Sequence, residues 1–248
     1  MGMIKWIFCD VDGCITSEAS IKWNISELSL LADYCRRANN DESLAKLTLC
    51  TGRPQPYAEA LAKFLDIQLP MICESGAVIY TLADNCSRFA PEVTPRHIEA
   101  VRRLRDGIAA KLLPRHPDAL LQFGKHAQIS IFSQSPALFA TLHPEVEQLA
   151  GADAKLFDIK PSHHYLNISL RIVNKGSAAM SLAHAAGLTR AQVAAIGDTD
   201  GDLPLREAAG FLACPANATP AMKERADYVS RHAELPGVMD ILQRINSL

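Results

Sequence analysis

The chain lacks most of the features that would assign it at once. No apolar run is long enough to cross a bilayer. The opening MGMIKWIFCD has neither the extended apolar stretch nor the cleavage site of a secretory signal, so a cytoplasmic protein is expected. Neither sign of charge dominates: 25 Lys and Arg face 27 Asp and Glu, a formal net charge of −2. That balance excludes a global field for nucleic acid or anionic lipid, so any polyanion must be bound locally. The seven cysteines are odd in number and include no CxxC pair, which argues against a disulfide framework or a zinc ribbon. Cys9, Cys50 and Cys73 sit in apolar runs as small buried hydrophobes, and Cys14, next to acidic residues, is read as packing in preference to a reactive thiol. There is no repeat, no low-complexity segment, and no GxGxxG after the first strand, which disfavours a dinucleotide-binding oxidoreductase.

What is present is an alternation of strand and helix signals. With 248 residues and 48% hydrophobic content, the chain can bury one large domain or a core domain plus a smaller one. MIKWIFCDV reads as a buried strand. Leu28, Leu31, Ala32 and Cys35 recur at helical spacing behind a cap at Ser26. LAKLTLCTG is a second strand, Pro56 to Leu65 a second helix, and PMICESGAVIY a third strand running into a hairpin. From about Asp84 the pattern changes to a helix over 94–113, paired strands ALLQFG and AQISIFS, a helix over 136–150, and strands KLFDIKP and YLNISLRI. After Asn174 the alternation returns: KGSAAMSLAHAAGL as a helix stopped by Gly187, VAAIGD, a helical DLPLREAAG, FLACP, and a closing helix PGVMDILQRINSL. The expectation is an α/β fold. Its core is a Rossmann-like parallel sheet formed by residues 1–83 and 171–248, and an α+β module of residues 84–170 is inserted into it.

In an open parallel sheet, ligands bind beyond the carboxyl ends of the strands. Three core strands end there in polar residues: Asp10 and Asp12, then Thr51 with Gly52 and Arg53, then Asp198 with Asp202. Lys175 opens the helix after the insertion. An extended DVD stretch would place both of its carboxylates on one side, where they repel unless a cation joins them. Carboxylates in this number prefer a hard cation with oxygen ligands, such as Mg²⁺. Taken singly, each piece also has a plainer meaning. A DxD pair is often a solvated turn or a simple metal clamp, TGRP can merely end a strand, and GDTDGD can be an acidic turn. A lysine at a helix start is usually a surface charge, although it is unfavourable to the helix dipole there.

The order DVDGCIT, CTGRP, NKG, AAIGDTDGDLP resembles the four motifs of the haloacid dehalogenase superfamily, and the insertion lies where that family places a type 2, Cof-like cap. The resemblance covers about residues 3–82 and 171–246. It implies a phosphatase in which Asp10 is the nucleophile, forming an aspartyl-phosphate, and Asp12 is the general acid and base. Thr51 would bond the transferring phosphoryl group, and Lys175 would neutralise that group and orient Asp10. Mg²⁺ would be held by Asp10, Asp198 and the main-chain carbonyl of Asp12, with Asp202 and Gly52 in support. Cap closure would exclude water and position the leaving group. A phosphomutase of the same superfamily and a non-catalytic phosphate-ligand sensor are the alternatives. The implied partner is a small phosphorylated metabolite, phosphoglycolate or a sugar phosphate, with neither nucleic acid nor membrane; the oligomeric state is left open.

This sequence departs from the family pattern in places. Gly201 stands where many relatives have asparagine, which also leaves Asp200 nearby. CESGA resembles the family's ENGA, so Ser75 is a candidate for contact with the leaving group or a plain hairpin hydroxyl. CPANATPAMKERADYVS resembles archaeal phosphoglycolate phosphatases and places Asn217 in a loop near the metal site, with a helix cap at Asn217 or Thr219 as the competing reading. Arg53 and Lys125 are candidate substrate-binding residues, Lys125 and His126 lying on a turn otherwise read as a solvated hairpin tip. His163 and His164 are read as surface or hinge residues, and Arg96, Arg102, Arg103 and Arg105 as the wet face of one helix.

Overall fold

The computed structural model describes residues 3–17 and 22–248. In chain order the first segment contains β1 (Trp6–Cys9), α1 (Ile25–Asn40), β2 (Lys46–Leu49), α2 (Gln55–Leu65), β3 (Met71–Cys73), β4 (Val78–Thr81) and β5 (Cys86–Phe89). The helix α1 starts one residue before the expected cap at Ser26, because the Asn24 side chain accepts the Glu27 N–H. Asparagine and serine are equally good caps, so periodicity alone did not separate them. The middle segment contributes α3 (Pro95–Gly107), β6 (Ala119–Leu121), β7 (Gln128–Ser133), α4 (Phe139–Ala150), β8 (Phe157–Ser162) and β9 (Tyr165–Leu170). The chain closes with α5 (Lys175–Ala185), β10 (Val193–Ile196), α6 (Leu205–Ala208), β11 (Phe211–Cys214), α7 (Pro220–Arg225), β12 (Tyr228–Val229) and α8 (Glu234–Ile245).

Two compact units result: Met1–Arg88 with Lys175–Leu248, and Phe89–Asn174. The division falls a few residues beyond the expected boundaries at 83/84 and 170/171. Cys86–Phe89 adds a third strand to the β3–β4 hairpin, and the Arg171 N–H is held by the Leu156 carbonyl, so the breaks move to Arg88 and Lys175.

In the first unit the main sheet has the order β12-β11-β10-β1-β2, with every pair parallel. Strand β1 therefore lies between β10 and β2, and the three segments that carry the acidic and TGRP motifs are sheet neighbours. Phe8, Val193, Ala195, Leu212 and Cys214 point into one cluster with Ala179 and Leu182 of α5, Leu205 of α6 and Met222 of α7. The small residues of α5 let it lie close; a Cβ on Gly176 would come within 2.0 Å of the Pro204 carbonyl. Helices α1 and α8 pack together and against β2 and β11. Each large aliphatic or aromatic side chain buried this way contributes roughly 1.5–3 kcal/mol. DLPLREAAG, expected as one helix, is a tight turn over Asp200–Asp202 followed by the four-residue α6.

The second unit is a four-stranded antiparallel sheet, β6-β7-β9-β8, with α3 packed on β7 and α4 packed on α3. Alternation sorts its two faces: Ile129, Ile131, Leu166 and Ile168 are buried apolar positions, while Gln128, Ser130, Asn167 and Ser169 point to the other side. Lys125 is not on a wet hairpin tip. It is buried, and its ammonium donates to Gln128 Oε1 at 2.9 Å and Ser130 Oγ at 2.7 Å. Arg96, Arg102 and Arg103 of α3 are exposed, Arg102 pairing with Glu99 and Arg103 with Asp153, while Arg105 is half-buried and reaches the His126 carbonyl. None of the helices among the described residues is long and apolar enough to cross a membrane.

Candidate active site

Parallel register brings the motif residues side by side. Cys9 is level with Ile196 on one flank and Leu49 on the other, so the chain leaves β1, β10 and β2 at the same edge. The Asp10 N–H donates to the Ile196 carbonyl at 2.9 Å, and the Cys50 N–H donates to the Cys9 carbonyl at 2.8 Å. Asp10, Thr51, Lys175, Asp198 and Asp202 are all buried, a concentration of polar groups that an ordinary core would not carry.

Lys175 joins two of the acids. Its ammonium lies 2.9 Å from Asp10 Oδ1 and 2.6 Å from Asp202 Oδ1. Asp10 Oδ1 also accepts the Val11 N–H at 2.8 Å, which fixes the carboxylate's orientation. The other oxygen of Asp202 accepts the N–H groups of Asp198 and Thr199, both at 3.1 Å, and the Thr199 hydroxyl at 3.2 Å. Asp202 is thus a keystone of the turn and a partner of Lys175, a larger part than mere support. The signal for it was in the sequence as a Thr-x-x-Asp capping box at Thr199, which the reading missed.

Oxygens of Asp10, Asp198 and Asp202 lie within 4.8 Å of one another. Three carboxylates against one ammonium leave an excess of negative charge. Burial pushes the Asp10 carboxyl well above its ordinary range; Asp202 pushes the same way, Lys175 opposes, and Asp198 and Asp12 add to the rise. For Lys175, burial alone would lower the pKa, but the facing carboxylates of Asp10 and Asp202 outweigh it and hold the ammonium charged. This answers why a lysine sits at a helix start: two carboxylates, not the helix dipole, set its energy. An all-oxygen, carboxylate-rich donor set with surplus negative charge fits a hard divalent cation. Because both Asp202 oxygens are engaged, Asp10 and Asp198 are the carboxylates best placed to hold it.

Gly13 makes the close approach of Asp198 possible. It has φ +80°, and a Cβ there would sit 2.1 Å from Asp198 Oδ2. The Gly13 carbonyl accepts from Asn217 Nδ2 at 2.8 Å, while Asn217 Oδ1 accepts the Glu234 N–H at 2.7 Å. Asn217 therefore ties the acidic loop to the start of α8; the helix cap of α7 is Thr219. Thr219 also donates its hydroxyl to Asp200 Oδ1 at 2.6 Å and its N–H to the Asp198 carbonyl at 2.8 Å. Gly201, in place of the usual asparagine, lies in the same turn as Asp200 and Asp202.

Asp12 is not brought to Lys175. Strand β1 ends at Cys9, so the alternation that would stack Asp12 over Asp10 does not continue past it. The Asp12 carboxylate is gripped by Arg53 instead, Nε to Oδ2 at 2.8 Å and Nη2 to Oδ1 at 2.6 Å. Ser75 lies beside the TGRP loop: a Cβ on Gly52 would be 3.2 Å from its hydroxyl, and its N–H donates to the Thr51 carbonyl at 3.1 Å.

The cysteines belong to packing. Cys14 is buried and its thiol pKa is raised, chiefly by burial; burial also pushes Cys35 and Cys73 up to about 12 and Cys214 to about 11. Only Cys86 of the seven is exposed. A thiol-reactive dye is accordingly expected to modify about one thiol per folded chain and all seven after denaturation. Fast modification of a second thiol, mapped by peptide mass, would show that a thiol besides Cys86 is open to solvent in the folded chain.

The family model of haloacid dehalogenase-like hydrolases matches residues 7–106 and 121–242. The chain belongs to the haloacid dehalogenase-like hydrolases. It is 29% identical to a phosphoglycolate phosphatase of Methanothermobacter thermautotrophicus, over 97% of this chain and 98% of that one. A phosphoglycolate phosphatase of Archaeoglobus fulgidus is 27% identical over 98% of each. A crystal structure from Thermoplasma acidophilum superposes with a TM-score of 0.75, covering 99% of this chain and 100% of that one at 21% identity. The sucrose-phosphatase of Synechocystis, solved with sucrose and phosphate, gives 0.65 over 98% of each chain at 16% identity. At these identities the two structures establish the fold.

Proposed function

We propose that this hydrolase cleaves a small phosphomonoester through an aspartyl-phosphate on Asp10, with phosphoglycolate as the first substrate to test. The observation that carries the reading is the Lys175 bridge between Asp10 and Asp202, which orients a buried carboxylate and opposes the rise of its pKa at the carboxyl edge of the sheet. The names of the relatives at 29% and 27% identity support phosphoglycolate.

In the proposed sequence a carboxylate oxygen of Asp10 attacks phosphorus, the bond to the leaving oxygen breaks, and Asp12 supplies that oxygen with a proton. Asp12 then takes a proton from water as the water oxygen attacks the acyl phosphate, releasing inorganic phosphate and restoring the Asp10 carboxylate. Lys175 offsets negative charge at the reacting carboxylate, and the Thr51 hydroxyl is the candidate donor to the phosphoryl oxygens. Asp10, Asp198 and the Asp12 main-chain carbonyl would hold Mg²⁺, which when bound supplies positive charge against the phosphoryl oxygens.

A panel of phosphorylated metabolites assayed for inorganic phosphate with Mg²⁺ tests the reading. One or more small phosphomonoesters should be turned over, and chelation should lower the rate by at least about 100-fold, with recovery on Mg²⁺ addition. No phosphate release across the panel would sink the proposal; isomerised product without phosphate would replace it with a mutase.

A further inference from the structure

Arg53 meets the Asp12 carboxylate, and its placement is built as carefully as that of Lys175. Both nitrogens of its fork that face Asp12 are within 2.8 Å of the carboxylate, the two-point geometry that only a planar guanidinium provides. The guanidinium carbon sits over the Tyr57 ring, 4.9 Å from its centroid, and Tyr57 in turn meets Trp23 edge-on at 5.9 Å and 89°. Such stacking contributes about 0.5–1 kcal/mol at partly exposed sites and, more to the point, limits the rotation of the fork.

The main chain beneath it is equally fixed. The Arg53 N–H donates to Thr51 Oγ1 at 3.0 Å, its carbonyl accepts the Glu74 N–H at 3.1 Å, and Pro54 follows. Glu74 and Ser75 both hold positive φ, 49° and 58°, a left-handed pair of non-glycine residues costing roughly 1–3 kcal/mol each. The fold sustains that strain in the loop whose Glu74 N–H holds the Arg53 carbonyl and whose Ser75 abuts Gly52. A solvated surface arginine would need none of this.

We infer that Arg53 is a positioning residue: it fixes the orientation of the Asp12 carboxylate toward the leaving oxygen, and the Tyr57 ring fixes Arg53. The inference rests on the hydrolysis proposed above and assigns Arg53 to Asp12 in place of the substrate-binding part expected from the sequence. A fork filled by one carboxylate is a poor receptor for a second.

The consequence is selective for leaving group. Protonation matters most for a poor leaving group such as an alkoxide and little for 4-nitrophenolate, and kcat/KM reports the steps through cleavage of that bond. Arg53→Met is expected to lower kcat/KM roughly 30-fold or more for phosphoglycolate, or for whichever alkyl phosphomonoester the wild type turns over, but less than about 3-fold for 4-nitrophenyl phosphate. Arg53→Lys, which keeps the charge and loses the fork, should restore only part of the alkyl activity. Tyr57→Leu should show the same selectivity at smaller size, and Tyr57→Phe, which keeps the ring, should behave as wild type. The tyrosine pair decides the matter if Arg53→Met does not fold. Equal losses on both substrates, or a loss confined to KM, in a background of active wild type would overturn this inference alone. Absence of wild-type turnover on both would overturn the hydrolysis proposal and this inference with it.

Discussion

Asp10→Asn is expected to lower phosphomonoester turnover by at least about 10³-fold while the melting temperature stays within about 3 °C of wild type. The amide is close in shape to the carboxylate but its oxygen is not a nucleophile toward phosphorus. The structural side is favourable for three reasons. The Asp10 main-chain bond to Ile196 is unaffected, the amide oxygen can still accept from Val11 and Lys175, and Lys175 retains Asp202 at 2.6 Å. Removing one of three clustered negative charges also relieves the repulsion that, after burial itself, raises the Asp10 pKa. Phosphate release and a thermal melt on the same preparation check both halves. Turnover retained near the wild-type rate would remove Asp10 from the nucleophile's place, and a large melting change would show that the cluster is organised differently.

Lys175→Met should harm both properties. The side chain is 9% exposed and is the ammonium between two buried carboxylates. Removing one partner of a buried pair leaves uncompensated charge and typically costs 3–5 kcal/mol, enough to lower the melting temperature on the order of 10 °C. Turnover should fall at least about 100-fold, because both charge neutralisation and the orientation of Asp10 are lost. The sign of the pH dependence follows from Asp10. Its folded pKa is already raised, and Lys175 is the one group lowering it, so the variant's pKa rises further. The folded state then binds more protons than the unfolded one, and stability falls as pH rises through the folded value. The variant's deficit in urea midpoint should therefore be larger on the alkaline side and shrink on acidification. A deficit that grows on acidification would contradict the charge argument.

Much of this was legible in the chain because each motif is local. Apolar runs of four residues ending in polar groups announce parallel strands and their active edge, and the small-residue run after Lys175 announces a helix that packs tightly. The change of pattern after Asp84 announced an inserted α+β module. Three things were not legible. Where β1 stops is set by its neighbours, and past Cys9 the Asp12 carboxylate meets Arg53 and not Lys175. The burial of Lys125 depends on Gln128 and Ser130 of the following strand pointing back to it. The grip of Arg53 on Asp12 joins residues 41 positions apart, and nothing in TGRP says which acid the guanidinium will meet.

The one-dimensional pattern determined the α/β class, the insertion and the residue types available for chemistry, since hydrophobic period and turn residues act over a few neighbours. The folded chain alone decided which charges share an environment. Electrostatic energy in a buried site varies steeply over an ångström or two. Lys175 between Asp10 and Asp202, and Arg53 against Asp12, are outcomes of sheet register and loop closure that spacing along the chain does not encode.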